Sequence, residues 1–260
     1  MNQKNKDFSL TEIIAKQIDE ERKIKIRDNN YWHGSDMGLC PRKRFYKRLG
    51  IDGKDFDERT LRVFKCGDIF HEWLQDLLNK QNVLVGYEET LKDDKLNYKG
   101  HYDALIRIGD RLILYDFKTV NSMAFTYYNK QGFPKYHKSQ LMSYVYFLRK
   151  QKYPQLEEGR MFYISKDDLR TVEVPVWYNK EWEKKIEAEL TLLNEYWKKG
   201  ELPPRIVKDY RNASEPEAWQ CAKKVGKPRK DGTYLFKPFC QYFEHCWNEN
   251  NNNIEVNINK

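Results

Sequence analysis

No run of about 18 apolar residues occurs in the sequence, so no segment reads as a helix that would cross a bilayer. The opening stretch from Met1 to Asp7 is polar and leads into charged residues, so it lacks the apolar region of a secretory signal, and a reducing cytoplasm is the expected setting. Cysteine is scarce and odd in number, with five residues, which argues against a disulfide framework and directs attention to metal binding, redox chemistry or core packing. No internal repeat is present. One elaborated domain, long enough to bury a substantial core, is the expectation for 260 residues.

Hydrophobic residues make up 40% of the chain and aromatics 15%, which excludes a disordered polymer. Lysine and arginine exceed aspartate and glutamate by 47 to 39, and the pI is near 9.0. That balance favours a polyanionic partner, although a lysine-rich composition alone gives the same number. Basic and aromatic residues interleave from Pro41 to Arg48, a mixture suited to phosphates and stacked bases.

Ser9-Leu-Thr-Glu12 has the form of a capping box, and Ile13, Ile14 and Ile18 follow at helical spacing, which predicts a helix to about residue 25. Residues 29–39 read as loop. Cys40-Pro41 starts a second helix, with Phe45, Tyr46 and Leu49 on one side. From Gly67 to Asn79, Ile69, Phe70, Trp73, Leu74, Leu77 and Leu78 form a stripe of period 3.6. Residues 83–91, 101–108 and 111–118 read as strands, 138–150 as helix, and 160–164 with 171–176 as a further strand pair. Asn179 caps a long helix with Trp182, Ile186, Leu190, Leu193 and Trp197 inward, ended by Gly200. The expected division is an N-terminal helix and loop over 1–34, a core over 35–204, a cysteine-rich segment over 205–247 and a disordered asparagine-rich tail over 248–260.

The chemistry is carried by a hairpin. With Gly109-Asp110 as the central residues of a tight turn, Ile108 faces Arg111, and the same register sets Asp103 opposite Asp116. Such carboxylates stand about 5 Å apart between Cβ atoms and repel unless a cation lies between them. Lys118, two residues beyond Asp116, shares its face by the strand period. Two carboxylates with a lysine suit phosphodiester hydrolysis assisted by Mg²⁺ or Mn²⁺, and a solvated salt bridge on an exposed sheet is the plain alternative. His71 falls at the edge of the apolar stripe, where a boundary histidine is commoner than a ligand. Gln140 and Tyr144 share a helix face. Glu88 and Glu89 precede the hairpin, and either can reach the site, strand direction not settling which, although surface charge is the plainer role for both.

Cys40-Pro-Arg-Lys, Gly67-Asp-Ile-Phe-His71, Gly100-His-Tyr-Asp103, Asp116-Phe-Lys118 and Gln140-Leu-Met-Ser-Tyr144, in this order, resemble the motifs of RecB-like PD-(D/E)XK nucleases, above all the CRISPR-associated RecB-like exonucleases and their phage relatives. The likeness spans residues 35–247. It implies an α/β, restriction-endonuclease-like core, a mixed central sheet flanked by helices with a cysteine-rich C-terminal clasp. In that family pattern His71, Asp103, Asp116 and the carbonyl of Phe117 hold Mg²⁺ or Mn²⁺, Lys118 is the catalytic lysine, and Gln140 and Tyr144 contact DNA or orient the lysine. The implied substrate is DNA, single-stranded or at duplex ends, handled with protein partners in a DNA-processing complex. A non-catalytic nucleic-acid-binding subunit of the same fold is the rival reading. Tyr127, Tyr128, Phe133 and Tyr136 can stack bases or pack a loop.

The same likeness implies a [4Fe–4S] cluster held by Cys40 and the trio Cys221, Cys240 and Cys246. The family ends in Cys-x2-Cys-x5-Cys, whereas this chain keeps Cys240-x5-Cys246 and has Lys237 at the preceding position. Zinc bound by some of these thiols with His245, or free thiols, are the alternatives. Cys66, near Phe64 and Ile69, reads as core.

Overall fold

A computed structural model describes residues 9–24, 27–212, 214–227, 229–230 and 233–247, so the expected tail over 248–260 lies outside the described residues. The chain begins with α1 (Leu10–Ile24), where Ser9 Oγ accepts from the Glu12 amide as half of a capping box. Residues 29–39, expected as loop, contain a two-residue strand β1 (Trp32–His33) and a 3₁₀ turn at Gly34–Asp36. Their anchors are tertiary, since Trp32 and Met37 are buried. Then come α2 (Pro41–Arg48), α3 (Glu58–Lys80), β2 (Leu84–Gly86), β3 (Thr90–Asp93), β4 (Tyr98–His101), β5 (Ala104–Ile108) and β6 (Arg111–Val120). The second half holds α4 (Ser122–Gln131), α5 (Lys135–Gln151), β7 (Glu158–Ser165), β8 (Thr171–Trp177), α6 (Lys180–Lys199), β9 (Ala222–Val225), β10 (Leu235–Pro238) and α7 (Phe243–Trp247).

The central sheet has the order β2-β5-β6-β7-β8, with β6 and β7 parallel and the other neighbours antiparallel. It is the mixed sheet flanked by helices that the sequence predicts. Alternation along β5 and β6 serves two layers. Ala104, Ile106, Ile113, Tyr115 and Phe117 pack with Leu74 of α3, whereas Leu105, Leu112 and Leu114 join Leu141, Val145 and Leu148 of α5 in the larger core. Ile186, Leu190 and Leu193 of α6 close that layer from outside. Asn179 caps α6 by accepting from the Glu181 and Trp182 amides, and Gly200 ends it at φ +69°.

Three differences from the sequence reading have local causes. The strand expected over 83–91 divides into β2 and β3, and β3 turns back into β4 through Asn97 at φ +50°. Helix α4 has an Asn121 cap and a Gly132 stop but too weak an apolar period to be noticed. Helix α3 begins at Glu58, capped by Asp57, and its apolar stripe is not wholly inward: Leu74 is buried, while Ile69, Trp73 and Leu77 are exposed. Phe64 and Ile69 are exposed and Cys66 only half-buried, so Cys66 is not the core residue expected.

Asp36 ties the first segment to α2. It is buried, with Lys47 Nζ at 2.5 Å and Arg27 also bonded to it. Burial alone would raise this carboxyl, but the Lys47 and Arg27 cations outweigh burial and hold it well below the usual carboxylate range. Asp36→Asn should therefore cost about 3 kcal/mol at pH 7, as expected when one partner of a buried pair is removed. Because the folded-state pKa is depressed, this contribution is complete above the unfolded value of about 4 and fades as pH falls below it. Urea melts should show the gap between wild type and variant narrowing from pH 7 to pH 3; a gap that widens would contradict the assignment.

Candidate active site

The site forms where the β5–β6 ladder ends. The register runs from Ile108↔Arg111 to Ala104↔Tyr115, as the sequence predicts, and Gly109 takes the positive φ of +58° that the turn needs. Past Ala104 the chain leaves the ladder, and the Phe117 amide, which would have lost its acceptor, donates to Asp103 Oδ2 at 2.5 Å. Asp103 is thereby fixed beside β6. Asp116, with no exposed surface, faces α5, where Gln140 Nε2 donates to Asp116 Oδ1 at 3.0 Å and lies 3.2 Å from the Tyr144 hydroxyl. The Tyr144 ring lies against Gly100, where a Cβ would stand 2.7 Å from the ring, so the glycine in Gly100-His-Tyr-Asp103 makes room for it. Tyr144 is thus an interior group, and half-buried Gln140 is directed inward at Asp116.

Lys118 Nζ lies 2.6 Å from Asp116 Oδ2, an ion-pair contact that lacks hydrogen-bond geometry, so this buried oxygen has no hydrogen-bond donor. The Lys118 charge partly offsets the cost of burying this oxygen without a hydrogen-bond donor. Asp103 shows the same pressure: burial and then the Asp116 charge push its carboxyl well above the usual range, with Lys118 and the Phe117 amide only partly opposing them.

His71 approaches from α3, its Nδ1 3.5 Å from Asp103 Oδ1 and its ring edge-on to Phe117. Gly67, one turn earlier, meets Thr119 of β6, where an added Cβ would stand 3.3 Å from Thr119 Oγ1; a small residue there lets helix and strand approach. Burial and then the Lys118 cation lower the His71 pKa, favouring the neutral imidazole that can ligate a metal. Glu88, which the sequence left between the site and surface charge, is brought to the site. Ligand atoms of His71, Glu88 and Asp103 all lie within 4.8 Å of one another. Glu88 reaches this position from a left-handed backbone at φ +48°, and buried Gln75, one turn after His71, donates to both Glu88 Oε1 and the Asp103 carbonyl. Its signal in sequence was faint, since a left-handed glutamate between two short strands follows no period. Glu89 instead pairs with Lys152 at 2.6 Å, the surface role expected of it.

Four cysteines gather at a second site. Cys40 sits at the start of α2, and Cys221, Cys240 and Cys246 line the same small cavity with it, next to Arg42 and Lys43. The long gap between Cys221 and Cys240 is closed by pairing β9 with β10: Ala222 faces Pro238, and the Cys221 carbonyl accepts from the Phe239 and Cys240 amides. Lys237 falls within that pairing, opposite Lys223, and stands outside the thiol group. Burial and then neighbouring Cys40 and Cys246 push the Cys221 thiol up to about 12, an environment that disfavours free thiolates without a bound cation. His245 is turned toward the Asp52 carbonyl, 3.2 Å from its Nε2.

The family model described as PD-(D/E)XK nuclease superfamily matches residues 79–242, more than half of the chain. The CRISPR-associated exonuclease Cas4 of Saccharolobus solfataricus is 27% identical over 176 residues, 64% of this chain and 78% of that protein. The crystal structure of the protein designated SSO0001 has a TM-score of 0.46 at 24% identity, covering 73% of this chain and 85% of that one. An alkaline exonuclease from Laribacter hongkongensis has a TM-score of 0.42 at 13% identity, covering 65% of this chain and 92% of that one. With its family match extending across the hairpin, α5 and two of the four clustered cysteines, this chain belongs to the PD-(D/E)XK nuclease superfamily.

Proposed function

We propose that the protein is a deoxyribonuclease that hydrolyses phosphodiester bonds with Mg²⁺ or Mn²⁺, acting on single-stranded DNA or duplex ends. The observation that carries this reading is the convergence at one strand end of two mutually repelling carboxylates, Asp103 and Asp116, with Lys118 and a neutral His71. The gathered His71, Glu88 and Asp103 atoms fit a divalent cation, and the Asp116 oxygen, paired with Lys118 but without a hydrogen-bond donor, is suited to join them. A mixed set of carboxylate oxygens and one imidazole suits Mn²⁺ at least as well as Mg²⁺.

A bound cation would supply Lewis acidity at the phosphate and a more acidic water. The chain's own residues do the rest. Asp103 is held by the Phe117 amide and Asp116 by Gln140 and Lys118; with His71, Glu88 and the Phe117 carbonyl they make up the candidate ligand set. Lys118 places the attacking water or meets the charge that develops on the phosphate. Tyr144 acts through Gln140, keeping that amide directed at Asp116. The four cysteines, in this reading, hold a [4Fe–4S] cluster. Arg42 and Lys43 line the same cavity, and their positive charge would offset the thiolates that hold such a cluster. We take residues 35–204 as the nuclease core and 205–247 as a clasp joining the chain's two ends through Cys40.

End-labelled single-stranded and duplex DNA incubated with Mn²⁺, Mg²⁺ or EDTA tests this function. Shortening in either metal and none in EDTA is expected; binding without cleavage in all three conditions would establish the non-catalytic subunit instead. The electrostatics give a second check. Asp103→Asn removes one of two repelling charges and keeps an acceptor for the Phe117 amide, so its melting temperature in EDTA should rise by a few degrees. A carboxyl whose folded-state pKa is raised destabilises the fold above that pKa, so wild type in EDTA should also gain stability as pH falls toward it. A variant that melts below wild type in EDTA would contradict the repulsion.

A further inference from the structure

Between α4, the start of α5 and the C-terminal segment lies a cavity of about 830 Å³ that the hydrolytic site does not use. Its walls are rings: Tyr127 and Tyr128 of α4, Phe133 from the connecting turn, Tyr136 from the first turn of α5, and Trp219. Tyr136 and Trp219 lie 5.5 Å apart between centroids at an angle of 33°. Tyr127 and Trp219 remain 62% and 39% exposed, large rings left facing an opening. Both also border a second cavity of about 770 Å³ that continues toward Lys223 and Lys224.

Charge and position identify the occupant. Lys135 and Lys185 stand on the first cavity and Lys223 and Lys224 on the second, while the neighbouring carboxylates are engaged internally. Glu189 binds Arg44 and the Gly38 amide, Glu217 accepts from Gln220, and Glu215 accepts from the Lys208 and Asp209 amides. Aromatic faces with ammonium groups at the rim complement a nucleotide, whose base stacks while its phosphate pairs. Tyr136 is four residues before Gln140, which donates to Asp116, so the two positions share one face of α5 about 6 Å apart along its axis.

We propose that this cavity is a nucleobase subsite, taking an unpaired base of the DNA strand next to the scissile phosphate, stacked on Trp219 and Tyr136, with the backbone on Lys135 and Lys185. The inference rests on the nuclease reading and adds to it the form of the substrate. A base inside a duplex has both faces covered and cannot enter, so a duplex end must fray before it is gripped. The wall is also tied to the cysteines: Gln220, between Trp219 and Cys221, accepts from the Cys40 amide at 2.8 Å. The thiol site therefore holds the strand-binding wall in place.

Fluorescence anisotropy in EDTA, where the intact protein binds without cutting, tests the subsite with oligothymidylate of about 15 nucleotides, near the upper range of single-strand site sizes. A series of such strands, each with one abasic position, should show one position, or two adjacent ones, that costs wild type about tenfold in affinity, within the range for one stacked base. Trp219→Ala should lose about the same tenfold on the intact strand and become indifferent to that abasic position, Trp219→Phe should retain most of both, and affinity for a blunt hairpin should not change. Equal abasic profiles in wild type and Trp219→Ala would overturn the subsite while leaving the nuclease reading intact. Failure of wild type to bind any DNA would overturn both.

Discussion

Replacing Asp116 by asparagine should reduce DNA cleavage by about a thousandfold or more, equivalent to roughly 4 kcal/mol of transition-state stabilisation. Asparagine keeps the shape and the Gln140 contact but removes the charge beside Lys118. Asparagine is the better choice than alanine because Asp116 is fully buried in the structure and not in an open cleft. Alanine would add a cavity and a stranded Gln140 to the chemical effect. Lys118→Ala should cost about a hundred- to a thousandfold, the usual consequence of removing one preorganised donor to developing charge. Both variants should keep wild-type circular dichroism spectra and, in EDTA, wild-type affinity for single-stranded DNA. Single-turnover rates within tenfold of wild type for both would remove these residues from the chemistry.

The second large effect concerns the thiols. Protein purified without oxygen should be brown, absorb near about 400 nm and carry about four irons per chain if Cys40, Cys221, Cys240 and Cys246 hold a cluster. Zinc would leave it colourless. If the thiols hold a cluster, Cys246→Ser should lose the colour and expose the 205–247 segment to protease, because that segment has only two short strands, a 3₁₀ turn and one short helix among its described residues and a bound cluster would supply much of its order. Cys66→Ser is the control. Its half-exposed position predicts full iron content and little change in stability. Iron lost from Cys66→Ser but kept by Cys221→Ser would refute the ligand set.

What the sequence made legible was local or periodic. The Gly109-Asp110 turn set the hairpin register, and that register alone put Asp103, Asp116 and Lys118 at one strand end. Asn179 and Gly200 bounded α6 correctly for the same reason: each has a backbone or capping role readable from residue type. What stayed hidden was decided by contacts between distant segments. Glu88 joins His71 and Asp103 only because a left-handed residue and Gln75 of α3 aim it there. Trp73 and Leu77 match an inward stripe by period, yet the sheet presents too narrow a surface to cover them, and they remain exposed. The meeting of Cys221 and Cys240 depends on a pairing of β9 with β10 whose residues, rich in lysine, carry no alternating pattern.

The most direct test of the metal-assisted active site is a manganese titration of cleavage. Wild-type protein stripped with EDTA should leave an end-labelled single strand intact and then cut it at a rate that rises with added Mn²⁺ and saturates, while Asp116→Asn prepared in parallel stays inert across the same range. Cleavage by the stripped wild type, or equal cleavage by the two proteins at saturating Mn²⁺, would contradict an active site built on Asp103, Asp116 and Lys118.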